Sequence, residues 1–178
     1  MDCRQCGQKE KKEEPDSQTV RDSERQNNVQ RKRIQHNLHT CVMRYLFDTQ
    51  ALVFYLEGDS KLPSDIRDFI EDYENQGYVS VITLHELVLK TAKNQLELSN
   101  SLAQIVLYLK EAGVEILPLN HHHIIRLDRF ERESYHKDPF DRLLVAQCIE
   151  ENITMLTSDT KIPLYKKYGL EYLQYELD

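Results

Sequence analysis

Residues 44–58 read RYLFDTQALVFYLEG, and this stretch has a pattern that the rest of the chain repeats. Its short apolar run predicts a buried strand, and Asp48 follows that strand directly. The spacing of the next apolar residues predicts a helix that ends at Gly58. A strand followed by a helix is the repeating unit of parallel-sheet proteins, so the stretch predicts an α/β fold.

The alternation continues to the C-terminus. Further strands are predicted in YVSVI (78–82), VEILPL (114–119), ITMLT (153–157) and LEYLQY (170–175). Helices are predicted in SDIRDFIEDYEN (64–75), TLHELVLKTAK (83–93), SLAQIVLYLKEAG (101–113), HHHIIRLDRFERE (121–133), residues 139–151 and IPLYKKYG (162–169). One or two helices between strands predict a mainly parallel sheet that is covered on both faces, in a single domain.

Composition narrows the class of protein. No apolar run reaches the roughly 20 residues that span a bilayer, and the charged N-terminus has no signal-peptide core, so we expect a cytoplasmic protein without a membrane segment. The net charge of −7 argues against a passive nucleic-acid-binding module, whose affinity would rest on neutralising phosphates. It leaves open an enzyme that uses carboxylates and a metal ion.

Residues 1–42 differ from the remainder. They hold nine basic and seven acidic residues, about +2, so the rest of the chain carries about −9. Few of them are large and apolar, and such a composition cannot bury enough surface to offset the entropy of ordering. We therefore expect a disordered or loosely ordered N-terminal extension over 1–42, upstream of a domain at 43–178 that begins with Met43.

Four acids occur where the predicted strands end or beside that edge. Asp48 follows the first strand, Glu86 lies just beyond the second, and Asp159 follows the fourth, while Asp141 lies in the first turn of the helix over 139–151. Ligands of open parallel sheets bind at the carboxyl ends of the strands, near a switch in strand order. The pattern therefore predicts that these carboxylates converge on one site.

Local roles could explain three of the acids separately. Glu86 would complete a capping box with Thr83, and Asp159 would cap a turn. In HKDPFDRLLVAQ (136–147), Asp138 reads as a helix cap and Asp141 as the acid of a capping-box-like pair.

Asp48 has no such predicted capping partner, and the local roles do not explain why four acids should converge. Carboxylates about 4 Å apart repel by about 4 kcal/mol at an intermediate dielectric, so a cluster needs a cation or shared protons. Mg²⁺ or Mn²⁺ would suit these oxygen ligands.

Four blocks of the sequence, in this order and spacing, resemble PIN-domain ribonucleases, and most of all the VapC-type toxins of type II toxin–antitoxin pairs. They are RYLFDTQALVFYLEGD, VSVITLHELVLK, HKDPFDRLLVAQ and TMLTSD. The resemblance covers about residues 43–173 and implies a three-layer α/β/α domain with a mainly parallel sheet. It further implies an endoribonuclease that uses Mg²⁺ or Mn²⁺ to hydrolyse RNA, and a small antitoxin protein as partner.

The resemblance also assigns site residues. It makes Asp48, Glu86, Asp141 and Asp159 the catalytic and metal-binding acids. Thr49, Asp138 and Ser158 would support them. His85 departs from the family, which often has Trp there. Lys90, Lys93, Arg142 and Lys161 lie close in sequence to the acids and are RNA-binding candidates, with ordinary solvated faces as the alternative.

Other interpretations stay open. A housekeeping RNA-processing nuclease could share the fold, and a phospho-acceptor signalling domain also gathers acids at strand ends. The apolar set Leu102, Ile105, Val106 and Leu109 predicts core packing first and a homodimer face second. The three histidines at 121–123 predict a surface cluster at a helix start.

Overall fold

The computed structural model describes residues 43–131 and 138–177. In this part of the chain, five strands form one sheet, flanked by six α-helices and one 3₁₀ helix. Every strand pairing is parallel, so the predicted α/β class with a mainly parallel sheet is confirmed. The predicted extension over 1–42 lies outside the described residues, and its boundary stays a prediction.

The sheet has the strand order β3-β2-β1-β4-β5. The strands are β1 Arg44–Phe47, β2 Gln76–Ser80, β3 Glu115–Leu117, β4 Thr154–Thr157 and β5 Tyr172–Gln174. Strands β2 and β3 lie on one side of β1, and β4 and β5 lie on its other side. The strand order therefore switches at the β1–β4 pair, whose carboxyl ends flank a natural ligand crevice.

The helices fill the connections between strands. They are α1 Thr49–Leu56, α2 Ser64–Glu71, α3 Val81–Ala92, α4 Leu102–Glu111, α5 His121–Asp128, α6 Pro139–Glu151 and the 3₁₀ helix Ile162–Tyr168. No helix in the described part of the chain is long and apolar enough to cross a membrane.

Helix α3 begins two residues earlier than the pattern predicts. Ser80 is its N-cap, and the Ser80 hydroxyl accepts a hydrogen bond from the N–H of Ile82 at 3.0 Å. The apolar pair Val81 and Ile82, predicted to end a strand, therefore opens the helix instead. This cap moves Glu86 away from the helix start and into the body of α3.

Both faces of β1 are covered. Tyr45, Leu46 and Phe47 are all buried, and consecutive strand residues point to opposite faces. Gly77 of β2 pairs with Tyr45, and a Cβ at this position would lie 2.8 Å from the tyrosine hydroxyl oxygen. That hydroxyl donates a hydrogen bond to the carbonyl of Ile70 at 3.2 Å. The absence of a side chain at Gly77 therefore leaves room for the Tyr45 hydroxyl, which links the centre of the sheet to α2.

The three consecutive histidines are divided between surface and core. His121 and His122 are exposed as predicted, but His123 is completely buried, so the prediction of a surface cluster is wrong for this residue. Its Nδ1 accepts a hydrogen bond from the N–H of Asn120 at 3.2 Å, and its Nε2 lies 2.8 Å from Oε1 of Glu151. The histidine thereby completes the capping box of α5, whose N-cap is Asn120, and ties α5 to the end of α6.

Candidate active site

Asp48 lies at the carboxyl end of β1, at the switch in strand order. It caps α1, because its Oδ1 accepts hydrogen bonds from the N–H groups of Gln50 at 2.6 Å and Ala51 at 3.2 Å. Its Oδ2 accepts a hydrogen bond from the hydroxyl of Thr157, at the end of β4. The expectation that Asp48 has no capping partner is therefore wrong, and the cap fixes the carboxylate where β1 and β4 meet.

The environment of Asp48 disfavours its ionised form. The residue is 8% exposed, and this burial is the largest effect and raises the pKa of the carboxyl group. Hydrogen bonds from Thr157, Ala51 and Gln50 lower the pKa in part, while the charge of Asp159 raises it further. Among the described residues no lysine, arginine or histidine forms a salt bridge with Asp48. Asp48 is thus a buried acid beside a second acid.

Glu86 lies in the body of α3 and is 7% exposed. Its Oε2 accepts a hydrogen bond from the hydroxyl of Thr49 at 2.5 Å, and its Oε1 lies 2.7 Å from Nζ of Lys90. The proposed capping box with Thr83 is wrong, because the N-cap of α3 is Ser80. Thr49 directly follows Asp48, so its hydroxyl joins Glu86 to the end of β1.

Asp159 follows β4 and is joined to Asp48 through one hydroxyl group. The N–H of Asp159 donates to Oγ1 of Thr157 at 3.0 Å, and the same hydroxyl donates to Asp48. Oδ1 of Asp159 accepts from the N–H of Lys161 at 2.8 Å, so the predicted turn cap is confirmed. The neighbouring Ser158 donates to the side chain of Gln50 at 3.1 Å. We name Asp48, Glu86, Thr157 and Asp159 the acid edge.

The predicted start of α6 is confirmed. Asp138 is its N-cap and accepts from the N–H of Phe140 at 2.8 Å, and Pro139 is the first helical residue. Asp141 is half-buried in the first turn. The rings of Phe140 and His85 contact edge to face, with centroids 5.7 Å apart. Since these two residues directly precede Asp141 and Glu86, the contact sets the first turn of α6 beside the acid-bearing turn of α3.

The four basic candidates lie in different surroundings. Lys90 pairs with Glu86, while Lys93 is exposed at the C-terminal end of α3. Arg142 donates to the carbonyl of Glu131 at 3.4 Å, and Lys161 is exposed in the turn at Asp159. Lys90 is the candidate whose charge directly contacts one of the predicted acids.

Three residues of the site were not predicted from the sequence: Thr157, Gln50 and Tyr175. Thr157 is completely buried and bridges two acids, although it lies next to the predicted Ser158 in LTSD. Burial raises the pKa of Tyr175, and the charge of Asp48 adds to this effect, so the tyrosine lies near that carboxylate. Tyr175 follows the edge strand β5, and only the pairing of β5 with β4 brings it to the site.

The chemistry of these side chains suits a hard divalent cation. Carboxylate and hydroxyl oxygens are the ligands that Mg²⁺ and Mn²⁺ take in proteins, and a cation would offset the buried negative charge of Asp48. Within 43–131 and 138–177, no group of three or more His, Cys, Asp or Glu side chains is arranged to hold a metal ion. Glu86 instead has both oxygens engaged, by Thr49 and Lys90.

The comparisons with known proteins agree on one fold. The family model described as PIN domain matches residues 45–168, which include all four predicted acids. No curated protein sequence matches the chain.

Solved structures of toxin–antitoxin complexes are similar to the chain. A chain of VapBC2 from Rickettsia felis, bound to a DNA fragment from its promoter, is 19% identical with a TM-score of 0.56, covering 75% of this chain and 100% of its own. A chain of VapBC-1 from nontypeable Haemophilus influenzae is 19% identical with a TM-score of 0.56, covering 74% and 98%. One from a Klebsiella pneumoniae toxin–antitoxin complex is 20% identical with a TM-score of 0.52, covering 75% and 99%. These likenesses concern the fold.

Proposed function

The chain belongs to the PIN-domain family, a family of nucleases, and from this premise we propose that it is a metal-dependent endoribonuclease, the toxin of a toxin–antitoxin pair. One observation carries the chemical part of the proposal. Asp48 is a buried carboxylate at the switch in strand order, beside Asp159 and without a basic partner among the described residues. A fold tolerates such a charge where a cationic ligand compensates it.

Asp48, Glu86, Asp141 and Asp159 are the residues that would hold Mg²⁺ or Mn²⁺. When bound, such a cation lowers the pKa of a coordinated water and offsets negative charge on the phosphate oxygens. The chain supplies rigid orientation, because three hydrogen bonds fix Asp48 and the Thr49 hydroxyl fixes Glu86. Thr49 acts through its contact with Glu86, Ser158 through its hydrogen bond to Gln50, and Asp138 as the cap of the helix that carries Asp141.

RNA must approach a domain whose overall charge is negative. Lys90, Lys93, Arg142 and Lys161 are the basic side chains that we propose for contact with its phosphates. Their positive charges lie on α3, on α6 and in the turn after β4, around the predicted acids. Local charge of this kind attracts a polyanion even where the net charge is unfavourable.

The partner proposed here is a small antitoxin protein. Three of the similar solved structures come from toxin–antitoxin complexes. We propose that the partner places a basic or apolar segment across the acid edge, and that an arginine enters it because the guanidinium fork matches a carboxylate. The protein would act in the cytoplasm, where RNA and the antitoxin are made.

The decisive experiment is cleavage of single-stranded RNA by the purified protein. Cleavage with Mg²⁺ or Mn²⁺ should stop when a chelator is added. Asp48→Asn and Asp141→Asn should each reduce the rate at least ~10²-fold, the scale for loss of a positioned electrostatic group. Asp68→Asn removes the same charge from an exposed residue of α2 and should cleave like the wild type.

Two outcomes would favour the alternatives. Labelling of Asp48 by acetyl phosphate without RNA cleavage would support a phospho-acceptor signalling domain. Active enzyme whose expression without any partner leaves growth unaffected would support a housekeeping RNA-processing nuclease. Full activity of Asp48→Asn would contradict the assignment of the acid edge as the active site.

A further inference from the structure

Lys90 holds one oxygen of Glu86. Its ammonium nitrogen lies 2.7 Å from Oε1, and the two residues are one turn apart on α3. The other oxygen, Oε2, accepts the hydrogen bond from Thr49 at 2.5 Å. Both oxygens of this buried carboxylate are therefore engaged, and one of them is engaged by a positive charge.

The two contacts of Glu86 differ in their freedom. Thr49 is buried in the first turn of α1, so its hydroxyl is confined. The Lys90 side chain is 42% exposed, and its flexible stem lets the ammonium move into solvent without uncovering the core. Lys90 is thus the partner that Glu86 can release.

A divalent cation at Oε1 and the ammonium of Lys90 exclude each other, because like charges at one carboxylate repel strongly in a partly buried site. Occupation of Glu86 by a cation therefore requires Lys90 to move away. The displaced ammonium remains attached to α3 one turn from Glu86, so it stays within reach of an anion that binds there.

We propose, on the premise of the ribonuclease function above, that Lys90 is a positioning residue that exchanges partners. It pairs with Glu86 in the metal-free protein, and it pairs with an RNA phosphate when a divalent cation has taken its place. The ion pair then serves two purposes: it neutralises Glu86 before the cation binds, and it provides a positive charge for the substrate afterwards.

This exchange makes cation and RNA bind cooperatively. The RNA phosphate accepts the ammonium that the cation expels, so each ligand favours the state that the other requires. Such coupling is equal in both directions at equilibrium. It predicts tighter cation binding in the presence of RNA, and tighter RNA binding in the presence of the cation.

The test measures Mn²⁺ binding through the electron paramagnetic resonance signal of free Mn²⁺. It is done with and without a short single-stranded phosphorothioate RNA, which keeps its backbone charge and resists hydrolysis. The wild type should bind Mn²⁺ about tenfold more tightly with the oligonucleotide, within the usual range of coupling between sites. Without it, Lys90→Met should bind Mn²⁺ several-fold more tightly than the wild type, and the oligonucleotide should add almost nothing.

Two variants serve as controls. Lys90→Arg keeps the positive charge and should retain the coupling. Lys110→Met removes one positive charge from an exposed residue of α4, and its Mn²⁺ affinity and coupling should equal those of the wild type. Together the two variants show whether the coupling depends on the position of the charge or on the net charge of the protein.

Thermal unfolding in chelator gives a readout that is independent of RNA. Lys90→Met should melt at a lower temperature than the wild type, because Glu86 loses its counter-charge, and Mn²⁺ should reduce this difference in melting temperature. Equal Mn²⁺ affinity and equal coupling in the two proteins would overturn the exchange while leaving RNA cleavage intact. Wild-type protein that binds Mn²⁺ but neither binds nor cleaves RNA would instead overturn the proposed function, and the exchange with it.

Discussion

Buried polar groups have different kinds of partner at the acid edge and at the C-terminal end of α6. Where α6 ends, His123 lies 2.8 Å from Oε1 of Glu151, and Arg44 donates to the carbonyl of Glu151 at 3.0 Å. We name these three residues the Glu151 junction. His123 is buried and pairs with Glu151, which is partly exposed, so the one buried polar group of this junction has a complementary partner within the protein.

At the acid edge, by contrast, Asp48 is buried next to another acid, and the fold supplies hydrogen bonds but no counter-charge among the described residues. The comparison distinguishes a buried polar group that has its partner within the protein from a buried acid that lacks a counter-charge among the described residues. The contacts of the Glu151 junction are complete within the protein, whereas we propose that Asp48 in the acid edge receives its counter-charge from a ligand. Variants should therefore affect stability at one region and activity at the other.

The largest effect is expected for Asp48→Asn, which should lose at least ~10²-fold in cleavage rate without losing stability. The asparagine Oδ1 can still accept from Gln50 and Ala51, its Nδ2 can donate to the hydroxyl oxygen of Thr157, and the buried charge is removed. Urea unfolding in chelator should show a free energy of unfolding equal to or above that of the wild type.

The difference in stability between Asp48→Asn and the wild type should depend on pH. Burial raises the pKa of Asp48 above its ordinary value, so the folded state binds this proton more tightly than the unfolded chain does. The contribution of Asp48 to the free energy of unfolding is fully present at pH values below the ordinary pKa of aspartate. It is lost as the pH rises through the raised pKa of the folded state. The advantage of Asp48→Asn should therefore grow with pH over that window. An Asp48→Asn protein that unfolds more easily at neutral pH would contradict the contrast between the two regions.

The Glu151 junction should give the reverse result. His123→Ala leaves a cavity in the core and removes the partner of Glu151, so we expect a loss of about 3 kcal/mol in the free energy of unfolding, the upper end of the ordinary range for point substitutions. The cleavage rate per folded molecule should stay at the wild-type value. The neighbouring His122 is exposed, and His122→Ala should change stability by no more than about 0.5 kcal/mol. A large loss of cleavage rate in folded His123→Ala would contradict the assignment of the Glu151 junction to stability alone.

Thr157→Val should have an intermediate effect on both properties. The substitution keeps the shape but removes the hydroxyl that donates to Asp48 and accepts from Asp159. We expect a loss of about 1–2 kcal/mol in stability and about tenfold in cleavage rate, since two buried polar groups lose a partner. Thr157→Ser retains the hydroxyl and should recover most of the activity. If serine and valine behave alike in cleavage assays, the bridge has no role in positioning the acids.

The smallest effect is expected for removal of residues 1–42. These residues include few large apolar side chains, so a protein beginning at Met43 should keep its free energy of unfolding within about 0.5 kcal/mol. The extension carries about +2, and its loss should raise KM for RNA slightly at low salt and not at high salt. A melting temperature lowered by many degrees would show that the domain includes part of the extension.

The sequence predicted those features that depend on near neighbours. The apolar run RYLF is β1, and the helix over 139–151 has the predicted cap, first residue and end. The fold class followed because alternating strands and helices can bury their apolar faces only in a covered parallel sheet. The prediction for Glu86 as a cap failed, because the competing cap at Ser80 starts α3 earlier.

What the sequence by itself determined is thus the order of elements, the α/β class and the acids at strand ends, since local propensity and periodicity encode them. Only the tertiary structure decided which distant groups meet. Thr157 reaches Asp48 across 109 positions and Thr49 reaches Glu86 across 37, and these contacts exist because β1 lies beside β4 and α1 lies near α3. Likewise His123 became core rather than surface because α5 packs against α6. Burial and counter-charge depend on the packing of separate elements, and no local pattern records them.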